Sequence, residues 1–264
     1  MELEIIGYIS AIAIGLSLGL IGGGGSILTV PVLLYLFHLD EKLATAYSLF
    51  IVGTTALVGG IQKHNQSQAN LKMALIFGIP AIISVFFTRY IIIPSIPDEL
   101  FTLAGYVVTR RILMMGLFAI LMVIASVSMI RGNGDYEVKE DAHLNYPLII
   151  MEGLVVGLLT GLVGAGGGFL IIPALVILGK LPMKLAVGTS LLIIAIKSLI
   201  GFIGDVLHYQ IDWQLLLIFT GLSIVGIFAG NALSHKINGD KLKKGFGWFV
   251  LVMGIYILIK ELIL

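Results

Sequence analysis

Apolar runs separated by short polar connections fill the chain: Ile5 to Phe37, Leu43 to Ile61, Met73 to Ile93, Ile112 to Ile130, Tyr146 to Gly179, Leu185 to Gly204, Trp213 to Ser234 and Gly245 to Ile259. A hydrocarbon core about 30 Å thick takes roughly 20 helical residues at about 1.5 Å each, so the pattern predicts an all-α polytopic membrane protein of eight apolar segments. Arg89, Glu152 and Lys197 are the charges inside these runs. The connection from Pro94 to Arg111 is mixed in character, whereas Arg131 to Asn145 carries Arg131, Asp135, Glu137, Lys139, Glu140 and Asp141 and reads as a solvated linker. This divides the chain into a first membrane repeat (1–130), a polar linker (131–145) and a second membrane repeat (146–264).

The two halves resemble each other. Setting each residue beside the one 142 places later aligns Gly19-Leu20-Ile21-Gly22 with Gly161-Leu162-Val163-Gly164 and Pro31 with Pro173, and the register runs on without a gap. Lys42 then meets Lys184, Ser48-Leu49 meets Ser190-Leu191, Gly59 meets Gly201 and Gln68 meets Gln210; 20 of 53 positions from Gly19 to Leu71 are identical. Leu75-Ile76-Phe77 continues over Leu217-Ile218-Phe219, and the fourth segments match at a spacing of 131, setting Phe118 and Met122 over Phe249 and Met253. A duplicated four-segment unit of this kind is typical of secondary transporters.

Each half opens on a run too long for one upright helix; the 33 residues from Ile5 to Phe37 would measure about 50 Å. The glycine runs Gly22, Gly23, Gly24, Gly25 and Gly164 to Gly168 are the expected breaks, since glycine weakens a helix interior and accepts positive φ. Pro31 and Pro173 are expected near the start of a second half-helix, where a missing N–H costs least. Non-helical backbone at membrane depth persists when buried in protein or lining a wet cavity, and a half-helix starting there aims free N–H groups at the occupant, so a small anion is the natural ligand. The candidate contacts are Gly22, Gly23, Gly24, Gly25, Gly164, Gly166, Gly167 and Gly168, with hydroxyls from Ser26, Ser48, Thr54, Thr189 and Ser190. Other glycines, such as Gly15 with Gly19 and Gly157 with Gly161, fit close helix packing.

Composition narrows the classes. Hydrophobic residues make up 58% and charged ones 12% of the 264, against roughly 45–50% and 25% in soluble domains. A net charge of +1 offers no field for nucleic acid, and with no cysteine there is no disulfide, thiolate metal site or Cys nucleophile. The acidic start Met1-Glu2-Leu3-Glu4 lacks the positive n-region of a secretory signal, so the first apolar run is expected to be retained. His38, His64, His143, His208 and His235 lie in connections or at segment ends, without the spacing of a helical metal pair. No strand precedes either glycine run and no P-loop lysine follows, so no cofactor is implied. No nucleophile elbow or other reactive constellation stands out, and the chain reads as a non-enzyme.

An ionisable residue at membrane depth normally faces a bundle interior or a cavity. Lys197, 13 residues into its segment, is therefore a candidate to neutralise an anion or to shed a proton, against a structural lysine paired with Glu152. Glu152 is a candidate proton carrier or an interfacial residue. Arg89, near the end of its run, reads as a side chain snorkelling to the cytoplasmic face.

The run Gly161-Leu162-Val163-Gly164-Ala165-Gly166-Gly167-Gly168 through Pro173, the run Ala186-Val187-Gly188-Thr189-Ser190-Leu191, and Gln210-Ile211-Asp212-Trp213 resemble the TauE/SafE family, with weaker copies in the first half. The resemblance implies a multi-pass inner-membrane transporter for sulfite, sulfonates or related sulfur-containing anions. It maps Gly22 to Gly25 and Gly164 to Gly168 onto substrate-facing backbone, and Thr189 and Ser190 onto polar contacts. The first half reads Ala46-Tyr47-Ser48 where the second has Gly188-Thr189-Ser190, so that threonine is absent there. The expected function is alternating-access transport of a small anion, with an anion channel or a non-transporting scaffold as alternatives. The implied partners are that anion and the lipid bilayer, with a homo-oligomer left open. Counting Lys and Arg by the positive-inside rule puts both termini outside, whether the halves are parallel or inverted; segment length favours inverted halves whose glycine tips face each other.

Overall fold

The computed structural model describes residues 2–23, 25–103, 106–131, 145–177, 179–234 and 239–262. Gly24 and most of the linker, including Gly134, lie outside the described residues. Helices α1 (Glu2–Ile21) and α2 (Ser26–Tyr35) are separated by the first glycine run, and α7 (Tyr146–Val163) and α8 (Gly168–Ile177) by the second. Gly22, Gly164 and Gly167 adopt φ of 79°, 70° and 75°, a region a side chain strains. Pro31 and Pro173 fall at the sixth position of α2 and α8, past the first turn, which corrects their expected place: each removes a helical N–H, tolerable in so short a helix.

Four helices start where a side chain accepts orphan N–H groups of the first turn. Asp40 caps α3 (Glu41–Asn65), Asn70 caps α4 (Leu71–Phe87), Asn145 caps α7, and the Asp212 carboxylate accepts from Gln214 and Leu215 at the start of α10 (Trp213–Ser234). A π-helical turn, Thr88–Ile92, follows α4 and passes into the short α5 (Ile93–Ser95). The mixed connection forms a two-stranded antiparallel hairpin, β1 (Glu99–Leu103) and β2 (Tyr106–Thr109), a small exception to the all-α expectation. Helices α6 (Arg110–Arg131), α9 (Met183–Val206) and α11 (Gly239–Leu262) complete the bundle. Among the described residues, six helical stretches are long and apolar enough to cross a membrane. Large apolar side chains such as Ile83, Phe87, Leu217, Val225 and Val252 stand exposed on the outside of the bundle, as a lipid-facing surface requires.

Glycine contacts fix the helix directions. Gly15 packs on Ser223 and Gly19 on Ile227 and Asn231, so α1 runs parallel to α10; Gly59 faces Ile227 and Gln62 accepts from Asn231, so α3 runs parallel to α10 as well. Since α1 and α3 point the same way, α2 between them turns back. Phe37, just past α2, meets the Tyr8 ring at 5.4 Å, and Gly25 packs against Ile14 and Leu18. Between the halves, Gly153, Gly157 and Gly161 lie on Phe77, Ala81 and Thr88, while Gly78 and Gly204 face Ile193 and Arg89. Helices α7, α4 and α9 are thus parallel, and α8 turns back in its turn. The corresponding helices of the halves run antiparallel: α3 against α9 (Gly53 on Leu199, Gly60 on Leu192) and α6 against α11 (Gly247 on Met129, Gly254 on Met122).

Candidate functional site

The two breaks meet at the middle of the bundle. Gly23 and Gly168 touch backbone to backbone, and Gly166 lies against Val52 of α3, Ile194 of α9 and Ser26. Around the second break stand two cationic side chains with no exposed surface, Arg89 and Lys197. A side chain at Gly164 would collide with Arg89 Nη2 and with Thr45. One at Gly167 would meet Thr160 and approach Lys197 Nζ. Lys197 Nζ donates to Thr160 Oγ1 at 2.7 Å, one turn before the break.

Arg89 is held by one nitrogen. Its Nη1 donates to Thr45 Oγ1 at 3.0 Å and lies 3.3 Å from Asp205 Oδ2, and Asp205 is itself fully buried. Its Nε and Nη2 have no hydrogen-bond partner among the described residues. Those two N–H groups form the side-on edge of the guanidinium, the fork that matches two oxygens of an oxyanion. Most buried donors are paired, so an unfilled fork beside a glycine break is a candidate contact for a ligand oxygen. Ser48 Oγ, one turn along α3 from Thr45, and Ser198 Oγ, next to Lys197, are likewise buried without partners. The first turn of α8 adds the N–H groups of Gly168 and Phe169, while those of Leu170 and Ile171 donate to Gly167 O. Tyr209, in the turn after α9, carries a phenol pushed above its ordinary range by burial and then by the charge of Asp205, so it stays a neutral donor.

The sequence model of the family described as Sulfite exporter TauE/SafE matches residues 8–257. This chain belongs to the TauE/SafE family. It is 29% identical over 252 residues to a protein of Xylella fastidiosa strain 9a5c named a probable membrane transporter protein, an alignment covering 93% of this chain and 91% of that one. It is 26% identical over 253 residues to the probable membrane transporter protein YdhB of Bacillus subtilis, covering 93% and 96%. No solved structure matches the chain. As a TauE/SafE protein with six span-capable helices, it is a multi-pass member of a membrane transporter family.

Within this TauE/SafE chain the sequence candidates separate into two groups. Gly22, Gly23, Gly25, Gly164, Gly166, Gly167, Gly168, Ser48 and Lys197 all lie at or beside the central breaks; Gly24 falls outside the described residues. Three candidate hydroxyls are engaged in holding the fold. Ser26 donates to Gly23 O at 2.7 Å, Ser190 donates to Gly22 O and Val187 O, and Thr189 donates to Leu185 O while accepting the Asn70 N–H at 2.8 Å. The missing first-half threonine has a substitute: Tyr47, its counterpart, accepts the Asp212 N–H at 2.6 Å, and Asp212 is the counterpart of Asn70. Glu152 is half-buried on α7, and the hydrogen bond of Lys197 goes to Thr160 rather than to it. Arg89 does not snorkel. The π-helical turn carries it inward to Asp205, 116 residues away in sequence, and π turns often mark functional sites, a signal visible only in the structure.

Proposed function

We propose that this protein carries a small oxyanion, a sulfite, sulfonate or related sulfur-containing anion, across the inner membrane by alternating access, and that the anion binds at the second glycine break between Arg89 and Lys197. The observation that carries this reading is the buried, unpartnered Nε/Nη2 edge of Arg89. Lys197, Ser48, Ser198, Thr160 and the first turn of α8 supply the remaining positive potential and donors. The family name supports the sulfur oxyanion, and the names of the relatives support transport.

The halves then act as inverted repeats, each opening on a hairpin whose glycine tip reaches the centre. Three observations support this: the antiparallel packing of α3 on α9 and of α6 on α11, the turn-back of α2 and α8, and the matched hydrogen bonds of Asn70 to Thr189 and Asp212 to Tyr47. Inverted repeats rocking about a central site are a common basis of alternating access. In this arrangement both termini face outside and the linker faces the cytoplasm.

The test is thermal unfolding of the purified protein with sulfite, sulfate, thiosulfate, sulfoacetate, taurine, phosphate and nitrate. A ligand that binds the folded state raises Tm by mass action. Sulfur oxyanions are expected to raise it, and Arg89→Lys, which keeps a charge but loses the fork, is expected to fold and to lose the rise. A wild-type Tm that no anion moves, or a full response in Arg89→Lys, overturns the reading.

A further inference from the structure

We propose that Asp205 takes up one proton with each divalent anion that the site binds, and none with a monovalent one. The inference rests on the oxyanion site just described. Arg89, Lys197 and Asp205 are the charged side chains with no exposed surface among the described residues, two cations against one carboxylate. With the lysine charged, the empty site is left with one surplus positive charge. A monovalent oxyanion on the Arg89 fork balances that surplus. A divalent one exceeds it by one, and in a site shielded from water an uncompensated charge is costly enough that a titrating group neutralises instead. Asp205 is the carboxylate in contact with Arg89.

The geometry of the pair suits this role. Arg89 Nη1 sits 3.3–3.4 Å from the two oxygens of Asp205, longer than the roughly 2.7–2.9 Å of a tight charge-assisted bond, and Oδ2 accepts no hydrogen bond among the described residues. A proton has room on Oδ2 without a bond being lost. Asp205 lies in the last turn of α9, and its backbone carbonyl accepts the N–H of His208, an exposed residue, so the buried carboxylate stands close to the surface of the bundle. The charged and titratable groups that act on Asp205 are Arg89 from the turn after α4 and His208 from the turn after its own helix; Tyr209 in that same turn feels its charge, and α3 contributes the Thr45 hydroxyl that shares Arg89.

The place equivalent to this pair in the other half argues against a mere packing need. The residue 142 before Asp205 is Lys63 and the one 142 after Arg89 is Asn231, whose amide bonds to Gln62 at 2.6 Å. The equivalent place therefore holds a lysine and an amide in place of the Arg–Asp pair, and the carboxylate is present once.

Proteoliposomes loaded with a pH-reporting dye test the stoichiometry with sulfate as the divalent probe and methanesulfonate as the monovalent one. Uptake of sulfate should acidify the lumen by one proton per anion and be accelerated by an acid exterior, whereas methanesulfonate uptake should move no protons. Asp205→Asn should bind sulfate yet carry it without protons, and Asp205→Glu should keep the proton flux. Equal proton flux with both probes, or an unchanged flux in Asp205→Asn, overturns the proposal, and the wild-type comparison decides it even where a variant fails to fold. Arg89-dependent binding of sulfate without proton movement refutes the coupling alone. Absence of any Arg89-dependent binding removes the oxyanion site, and this inference with it.

Discussion

Gly23 and Gly168 press against each other so closely that a Cβ built on either would strike the other's backbone. Each belongs to the glycine break of a different half, so the centre of the protein is a contact of main chain on main chain. Gly23→Ala and Gly168→Ala should each lower stability by about 1–3 kcal/mol through overpacking, and should weaken the anion-induced rise in Tm by prising the breaks apart. Gly116→Ala, where a Cβ meets nothing within 4 Å, should leave both unchanged. Gly15→Ala is no such control, because its Cβ would run into the Ser223 carbonyl. Thermal unfolding with and without sulfite reads all three outcomes. An alanine at Gly23 that is as silent as one at Gly116 would mean that the tips need not touch.

Arg89 and Asp205 form a buried pair, and removing one partner of such a pair costs about 3–5 kcal/mol because the other is left uncompensated. Arg89→Gln should therefore be strongly destabilised, and adding Asp205→Asn should recover most of the loss. The double variant has no guanidinium fork and should bind no oxyanion despite its restored Tm. Recovery of both stability and binding would reassign Arg89 from ligand contact to scaffold.

The same pair shows where sequence reading stops. The helix breaks at the two glycine runs are legible in the sequence, because glycine and helix length act locally, and the burial of Lys197 follows from its place inside an apolar run. Arg89 reads as an interfacial side chain because it lies near the end of its run, and Asp205, one residue beyond an apolar run, carries no signal of its own. Their meeting is a tertiary event made by a π-helical turn that no residue pattern announces. Ser26, Thr189 and Ser190 were visible as hydroxyls near the breaks, but which donors are consumed by backbone carbonyls depends on packing between helices.

Thr189 and Tyr47 occupy equivalent places and do the same work, accepting the N–H of Asn70 and of Asp212 at the starts of α4 and α10. Thr189→Val and Tyr47→Phe each orphan a backbone donor, at a cost of about 1–3 kcal/mol where that donor is shielded from water. Both variants should melt earlier with anion affinity intact. A selective loss of affinity in Thr189→Val, with stability preserved, would return Thr189 to the binding site.

Lys197 of α9 donates to Thr160 of α7. Lys197→Met keeps the bulk and removes the charge, so anion affinity should fall by about tenfold or more, the equivalent of roughly 1.5–3 kcal/mol for a hydrogen bond to a charged group. Protein abundance should fall far less. Thr160→Val keeps the charge and should weaken affinity more mildly. Titrating sulfite against Tm separates these outcomes, and a Lys197→Met variant that binds as the parent does would make the lysine structural.

The direction of every helix bears on topology. With α1 parallel to α3 and α9 antiparallel to α3, the proposed hairpins at the two breaks would give each half an odd number of crossings, and the inverted arrangement then predicts the linker on the face opposite both termini. Parallel halves with four crossings each would put the linker and the termini on one face. The positive-inside rule separates the sides: in the inverted arrangement Lys63, Lys72, Arg131, Lys139, Lys180, Lys184, Lys236, Lys241, Lys243 and Lys244 share the cytoplasmic face. Because the chain has no cysteine, single cysteines report cleanly. A cysteine at Gly134 in the linker should react with an impermeant thiol reagent from the cytoplasmic side alone, and one at Glu2 from the outside alone. Labelling of both from the same side would exclude the inverted arrangement, whatever the anion carried.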